Sequence, residues 1–197
     1  MNMSGLMNNI KNLRETTGVG FMDCKRALEA NNNDLQKSIH YLRKKGLAKA
    51  SKKSSRKANE GAVGVFASID KTLIIEINTE TDFAAKSDLF LSFLDQIASY
   101  AIKLNNNREI NIQKFMEMDF ENKKISEHFT NIISKIGENI VLRRLKLFTK
   151  DPNTEIFTYT HNSYKKNIGK ICVALKAEIN TKNEIVSQFG KNLCMQI

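Results

Sequence analysis

TLIIEINTETDFAAKSDLF, residues 72–90, changes its hydrophobic period partway along. Leu73, Ile75 and Ile77 alternate with their neighbours, the period-two pattern of a half-buried strand. From Phe90 onward the period is helical: Phe93, Leu94, Ile97, Ala98, Ala101 and Leu104 extend one broad apolar face. Between strand and helix lies TDFAAKSD, which sets Asp82 directly beside Phe83 at a turn. Two readings of Phe83 stand at this level. It folds back to plug the gap between strand and helix, or it projects outward as part of a contact.

Upstream, Val63, Val65, Ala67 and Ile69 alternate with Gly64, Phe66 and Ser68, and Asp70-Lys71 can turn. With the Leu73–Ile77 alternation this predicts an antiparallel hairpin. The first 46 residues are different. Leu6, Ile10 and Leu13 share a helix face, and TTGVG at 16–20 interrupts it. FMDCKRALEA predicts a second helix with Phe21, Cys24 and Leu28 on one side. An Asn triplet breaks it, and Asp34 can cap a third helix carrying Leu35, Ile39 and Leu42. Arg43, Lys44 and Lys45 suit the C-terminal end of that helix, where the dipole favours cations. GLAKASKKSSRKANE, residues 46–60, is basic and small and has no apolar stripe. It reads as a solvated tether, helical at most at its start.

Downstream, Asn105-Asn106-Asn107 is expected to end the helix that begins near Phe90. A later helix aligns Phe129, Ile132, Ile133 and Ile136 and stops at Gly137. IVLRRLKLF and EIFTYT read as strands around a turn at Asp151-Pro152-Asn153. Ile171, Val173, Leu175, Ala177 and Ile179 alternate, and a last helix carries Ile185, Val186, Phe189 and Leu193. The order predicts an α+β fold: a three-helix module in front of an antiparallel-sheet core with packed helices.

The 197 residues are 41% hydrophobic, enough for one or two small cores. Lys and Arg number 31 against 21 acids, a net charge of +10 that invites a nucleic-acid reading. A genome-wide drift toward Lys, Asn and Ile produces the same balance, so charge alone does not choose a partner. Cys24, Cys172 and Cys194 are odd in number and far apart, as expected of reduced cytosolic thiols. No signal peptide is visible, and no apolar run approaches the ~20 residues of a membrane span. A cytoplasmic, soluble protein is expected.

Motifs for catalysis are missing. There is no GxxxxGK[ST] and no GxGxxG, and Gly18-Val19-Gly20 follows no strand. His40, His128 and His161 are scattered, with none at metal-ligand spacing to a cysteine or another histidine. Glu80 and Asp82 read as a solvated turn. Neither an enzyme nor a bound metal or cofactor is expected. The basic tether lacks interleaved aromatics on which bases stack.

Three blocks carry a family resemblance. LRETTGVGFMDCKRALEANNNDLQKSIHYLRKKG (13–46) resembles the amino-terminal signature of bacterial translation elongation factor Ts. EINTETDFAAKSDLF (76–90) resembles the second signature of that family, and KIGENIVLRR (135–144) a third block, in the same order and spacing. The resemblance implies a ubiquitin-associated-like three-helix module (1–46), a basic linker (47–60), a first core subdomain (61–150) and part of a second (151–197). It implies a guanine-nucleotide exchange factor acting on elongation factor Tu, GDP-bound and nucleotide-free. Thr81, Asp82, Phe83 and Ala84 then stand where the family dislodges Mg²⁺ from its partner, with Ala84 in place of the usual Val. Arg14, Phe21, Met22, Ile136, Gly137 and His161 are the implied partner contacts, Phe21 standing where Met is common. The resemblance also implies a form without the family's coiled coil and carboxy-terminal module, either naturally shortened or a fragment. A monomer or weak dimer is expected, with the Ile171–Ile179 strand offering a vulnerable edge. No stable nucleic-acid binding is expected. The alternative function is a basic RNA- or ribosome-binding protein.

Overall fold

The computed structural model describes residues 3–104 and 110–197. In chain order the elements are α1 (Met3–Thr17), α2 (Phe21–Ala30), α3 (Leu35–Lys53), β1 (Glu60–Ala67), β2 (Lys71–Thr79), α4 (Asp82–Ala85), α5 (Asp88–Ala101), α6 (Ile112–Met116), β3 (Asp119–Phe120), β4 (Lys123–Lys124), α7 (Ile125–Ile136), β5 (Val141–Thr149), β6 (Thr154–Lys165), β7 (Ile168–Glu178) and α8 (Glu184–Gln196). The fold is α+β, helices first and an antiparallel sheet with helices after. The chain divides into two compact units, one up to Arg56 together with Ser126–Asn139, the other Lys57–Ile125 with Ile140–Ile197.

In the helical unit, Ile10, Leu13, Cys24, Ala27, Leu28 and Leu42 form one core, and Leu6, Val19, Leu35 and Ile39 pack against it. The helix breaks follow from local chemistry. Asn32 and Asn33 adopt positive φ, a region Asn tolerates better than most residues, and so the triplet turns the chain. Asp34 then caps α3 by accepting the Lys37 amide at 2.9 Å. Two expectations change here. α3 does not end near Lys45: it runs to Lys53, so Arg43, Lys44 and Lys45 lie mid-helix and the tether's first half is helix. At Gly46, Ser134 of α7 lies only 2.9 Å from where a Cβ would stand. The glycine permits close packing and the helix continues through it. Phe21 is 37% exposed, so only Cys24 and Leu28 of its predicted face are core.

In the sheet unit the strand order is β5-β2-β1-β7-β6, with a separate ribbon β3-β4. All pairings are antiparallel. Leu73, Ile75 and Ile77 are fully buried beneath α5, which packs on β1 and β2 through Phe90, Phe93, Leu94 and Ile97. The hairpin turn differs from expectation. β1 ends at Ala67, the Ser68 amide bonds the Lys71 carbonyl at 2.7 Å, and Ile69 sits in the turn at 96% exposure. The asparagine triplet at 105–107 lies outside the described residues, and α5 has already ended at Ala101. Tyr100 packs at a tilt against Phe120 of the ribbon, 4.9 Å between ring centroids.

β7 pairs with β6 from Ile168 to Glu178 but with β1 only at Ile168 and Gly169. α8 packs on both strands. Its Gly190 backbone lies so close to Phe157 that a Cβ would stand 2.4 Å from the ring. Gly190 and Cys194 are the buried positions; of the predicted apolar face, Ile185, Phe189 and Leu193 are exposed and Val186 is half-buried.

Candidate functional site

β2 leads into the site and is braced from below. Glu76 pairs with Arg144 and Ile77 with Leu142, so Arg143 is the extra residue of a β-bulge in β5. The bulge frees the Arg143 side chain to reach sideways. Its Nε donates to Asn78 Oδ1 at 3.1 Å and its Nη2 to the Ala58 carbonyl at 3.3 Å. Asn78 is buried and donates in turn to the Glu60 carbonyl at 2.8 Å. Glu76 and Arg144 form an ion pair across the two strands. These bonds tie the end of β2 to β5, to the start of β1 and to the residues before it.

The turn beyond β2 closes on itself. The buried Thr79 hydroxyl donates to the Thr81 carbonyl at 2.7 Å. Thr81 caps α4, accepting the Ala84 amide at 3.3 Å. Ser87 ends the turn and starts the next helix: its hydroxyl donates to the Ala84 carbonyl at 2.8 Å and accepts from the Phe90 amide at 3.3 Å. α4 is only four residues long, so these caps fix which way its side chains point. Ala84 and Ala85 face the core at 7% and 0% exposure. Phe83 points outward at 84%. It does not plug the core, and the first of the two sequence readings is excluded. Ala84 offers almost no surface to anything outside.

Asp82 is held beside this ring. Lys86 donates to it at 2.9 Å, one helical turn away, and that hydrogen bond holds the Asp82 carboxyl below the usual carboxylate range. The Lys86 ammonium is raised for the same reason and lies 5.8 Å from the centroid of the Tyr164 ring. His161, exposed on β6, has its Nδ1 3.1 Å from the Tyr159 hydroxyl.

The remaining candidates lie in the helical unit. Arg14 and Phe21 line an open groove of about 460 Å³ between α1 and the start of α2, with Met7, Lys11 and Val19. Met22 is 55% exposed beside Phe21. Gly137 ends α7 at φ +88°, a backbone angle suited to glycine after a helix. Lys53 donates to the Gly137 carbonyl, and the Lys135 side chain lies against Gly18 of the groove. Arg14 and Phe21 therefore share this groove and Lys135 reaches Gly18 on its lining, whereas Ile136 itself is half-buried at the end of α7.

Sequence reasoning missed Arg143 and Asn78. A signal was present: Leu142 and Leu145 are both buried but three residues apart, which breaks period two and requires an extra residue between them. Among the described residues no group of three His, Cys, Asp or Glu side chains could hold a metal ion, and no helix is long and apolar enough to cross a membrane.

Comparison with known proteins points to the elongation factor Ts family. The family model described as Elongation factor TS matches residues 80–197. The chain is 37% identical over 188 residues to Elongation factor Ts of Brucella anthropi, covering 95% of this chain and 60% of that protein. It is 36% identical to Elongation factor Ts of Rhodopseudomonas palustris strain BisB18 over 95% of this chain and 59% of the relative. For Methylorubrum populi the identity is 38%, with 95% and 60% covered. The chain therefore spans about 60% of the length of these relatives.

Proposed function

Because this chain belongs to the elongation factor Ts family, we propose that it promotes release of GDP from elongation factor Tu during translation, with Phe83 as the element that disturbs the partner's Mg²⁺ site. The observation that carries the proposal is Phe83 itself. It is a large apolar ring, 84% exposed, on a turn whose capping and buried alanines leave it no inward alternative.

A GTPase holds its nucleotide through a glycine-rich loop, a lysine and Mg²⁺ together. Exchange requires no acid, base or nucleophile from the factor. It requires only that the factor bind the nucleotide-free form better than the nucleotide-bound form. The coupling is reciprocal, and roughly a thousandfold coupling corresponds to about 4 kcal/mol. Phe83 supplies binding energy that is realised only when the partner opens to receive it: full burial of an exposed Phe contributes about 2 kcal/mol. Inserted between partner helices, the ring holds them where the Mg²⁺ ligands no longer converge. Asp82 is positioned to exchange its solvent-exposed Lys86 partner for polar groups of the GTPase. Such an exposed pair holds its members weakly, so the swap costs little.

In this reading the groove at Arg14 and Phe21, with Met22, docks the helical unit on the GTPase domain. Ile136, Gly137 and His161 supply further contacts. The test is release of a fluorescent GDP from elongation factor Tu, with and without the chain, at millimolar Mg²⁺ and after chelation. The expected result is acceleration at millimolar Mg²⁺ and a smaller added effect once Mg²⁺ is removed. Release at the unassisted rate across a full titration of the chain rejects the proposal.

A further inference from the structure

The net charge of +10 is not spread over the molecule. Helix α3 carries seven of the 31 cations and none of the 21 acids, leaving 24 cations against 21 acids in all the rest of the chain. The helix dipole does not account for this. It favours cations in the last turn, where Lys52 and Lys53 stand, but Lys37 lies in the first turn, where the dipole favours anions and α3 has none. Solvation of a linker does not account for it either, because the segment is helical to Lys53 and its side chains are held at fixed spacing.

At 100° per residue, Lys37, Tyr41, Lys44, Ala48 and Lys52 fall on one face, and all five are exposed. Lys37 and Lys52 are about 22 Å apart along the axis at 1.5 Å per residue. Among the described residues, Lys37 of this face pairs with Asp34, the cap, at 3.8 Å. Tyr41 adds a phenolic donor 38% exposed, and Ala48 keeps the middle of the face low. From this we infer, against the expectation from the sequence that no nucleic acid is stably bound, that the α3 face is a docking surface for the phosphate backbone of a nucleic-acid duplex. Lysine and tyrosine donors in a row match the contacts that position proteins on phosphates without reading sequence.

Two other occupants fit less well. A helix lying on a membrane needs its apolar face for lipid, but in α3 that face is used: Leu42 is buried in the helical core, with Leu35 and Ile39 packed against it. A protein partner is usually anchored by a central cluster of buried aromatic or large apolar groups, and the centre of this face is Lys44 and Ala48.

The experiment measures binding of the full chain to a 20-base-pair RNA duplex, to DNA of the same sequence, and to phosphatidylglycerol vesicles, across a salt series. Three neutralised phosphates give a slope of about −2.7 in log K against log salt, so affinity falls roughly 40-fold from 50 to 200 mM. The variant K37A/K44A/K52A is expected to lose more than tenfold in duplex affinity and most of the salt slope. K103A/K166A/K191A, with the same total charge, is expected to stay within about twofold of the parent, and both variants to keep the parent's circular dichroism and melting temperature. Binding of either duplex on these terms supports the proposal, and the RNA-to-DNA ratio says which geometry is preferred. Equal weakening by both triple variants would show a diffuse charge effect and overturn it. So would absence of duplex binding, tighter binding to vesicles than to either duplex, or a K37A/K44A/K52A defect confined to elongation factor Tu.

Discussion

Replacing Phe83 by alanine separates the protein's own stability from what it does to a partner. The ring is 84% exposed, so only about a sixth of it contributes to the fold. Truncation of a fully buried Phe costs ~3–5 kcal/mol. Scaled by the buried fraction, Phe83→Ala costs about 0.5–0.8 kcal/mol, and the better helix propensity of alanine in α4 offsets part of that. For a chain of this size 1 kcal/mol moves the melting temperature by about 2–4 °C, so the shift should stay near 2 °C or below. In the proposed role the expected effect on exchange is larger. Losing about 2 kcal/mol of burial in the complex is a factor of about 30 in the affinity that drives nucleotide release. Thermal unfolding by circular dichroism gives the first quantity, and the concentration dependence of GDP release from elongation factor Tu gives the second. A protein destabilised by 3 kcal/mol or more would show that the ring is structural. A stable protein with unchanged exchange would show that the exposed ring is idle. Either refutes the reasoning.

Arg143→Ala removes two charge-assisted hydrogen bonds from beneath the site and should cost about 1–3 kcal/mol, seen as a lower urea midpoint with slower exchange. Arg143→Lys should not restore it, because an ammonium cannot span both acceptors as the guanidinium fork does. Gly61 adopts φ +143°, and a Cβ there would stand 2.3 Å from the Ile77 carbonyl oxygen, a backbone atom that cannot move aside. Gly61→Ala should therefore destabilise by more than about 2 kcal/mol in the same urea titration. Burial pushes the thiols of Cys24, Cys172 and Cys194 above their usual range. They should label slowly with iodoacetamide at pH 7 and rapidly in urea. Because the folded-state values are raised, the stability they contribute is fully present below the unfolded thiol pKa of about 8.5 and is lost as pH rises through the folded values. The melting temperature should decline in that alkaline range.

The parts of this fold that were legible in the sequence are those whose partners are close in the chain. α2 is found from Phe21 to Ala30 because glycine precedes it and left-handed asparagines follow, both local effects. α5 is found because Phe90, Phe93, Leu94, Ile97, Ala98 and Ala101 repeat on one face, although Leu104 of the same pattern lies beyond its end. Reading fails where a distant partner decides. Arg43, Lys44 and Lys45 look like a helix end, but α3 runs on to Lys53, and at Gly46 it passes Ser134 at a distance that leaves no room for a Cβ. Ile69 continues an alternation that the strand does not, because a turn bond between Ser68 and Lys71 ends the pairing first. In α8, periodicity marks Ile185, Val186, Phe189 and Leu193, but the helix buries Gly190 and Cys194, and Gly190 lies against Phe157 where a Cβ would not fit.

Phe83 shows the same limit at the site itself. In TDFAAKSD the hydrophobic pattern assigns no face, because a four-residue helix has no period to measure. The direction is set by hydrogen bonds: Thr79 to the Thr81 carbonyl, the Ala84 amide to Thr81, and Ser87 to the Ala84 carbonyl. These rotate the turn until the two alanines meet the sheet and the phenylalanine cannot. A threonine two residues before a large aromatic, with small residues just after it, is therefore the local pattern that turns the ring outward. Thr81→Val tests this directly, since it keeps the shape and removes the cap. Loss of an N-cap costs ~1 kcal/mol, too little to unfold the sheet unit but enough to loosen α4. Exchange should then fall with Phe83 still present, and hydrogen exchange of the Ala84 amide should quicken. If the amide stays protected and GDP release is unchanged in Thr81→Val, the cap does not aim the ring.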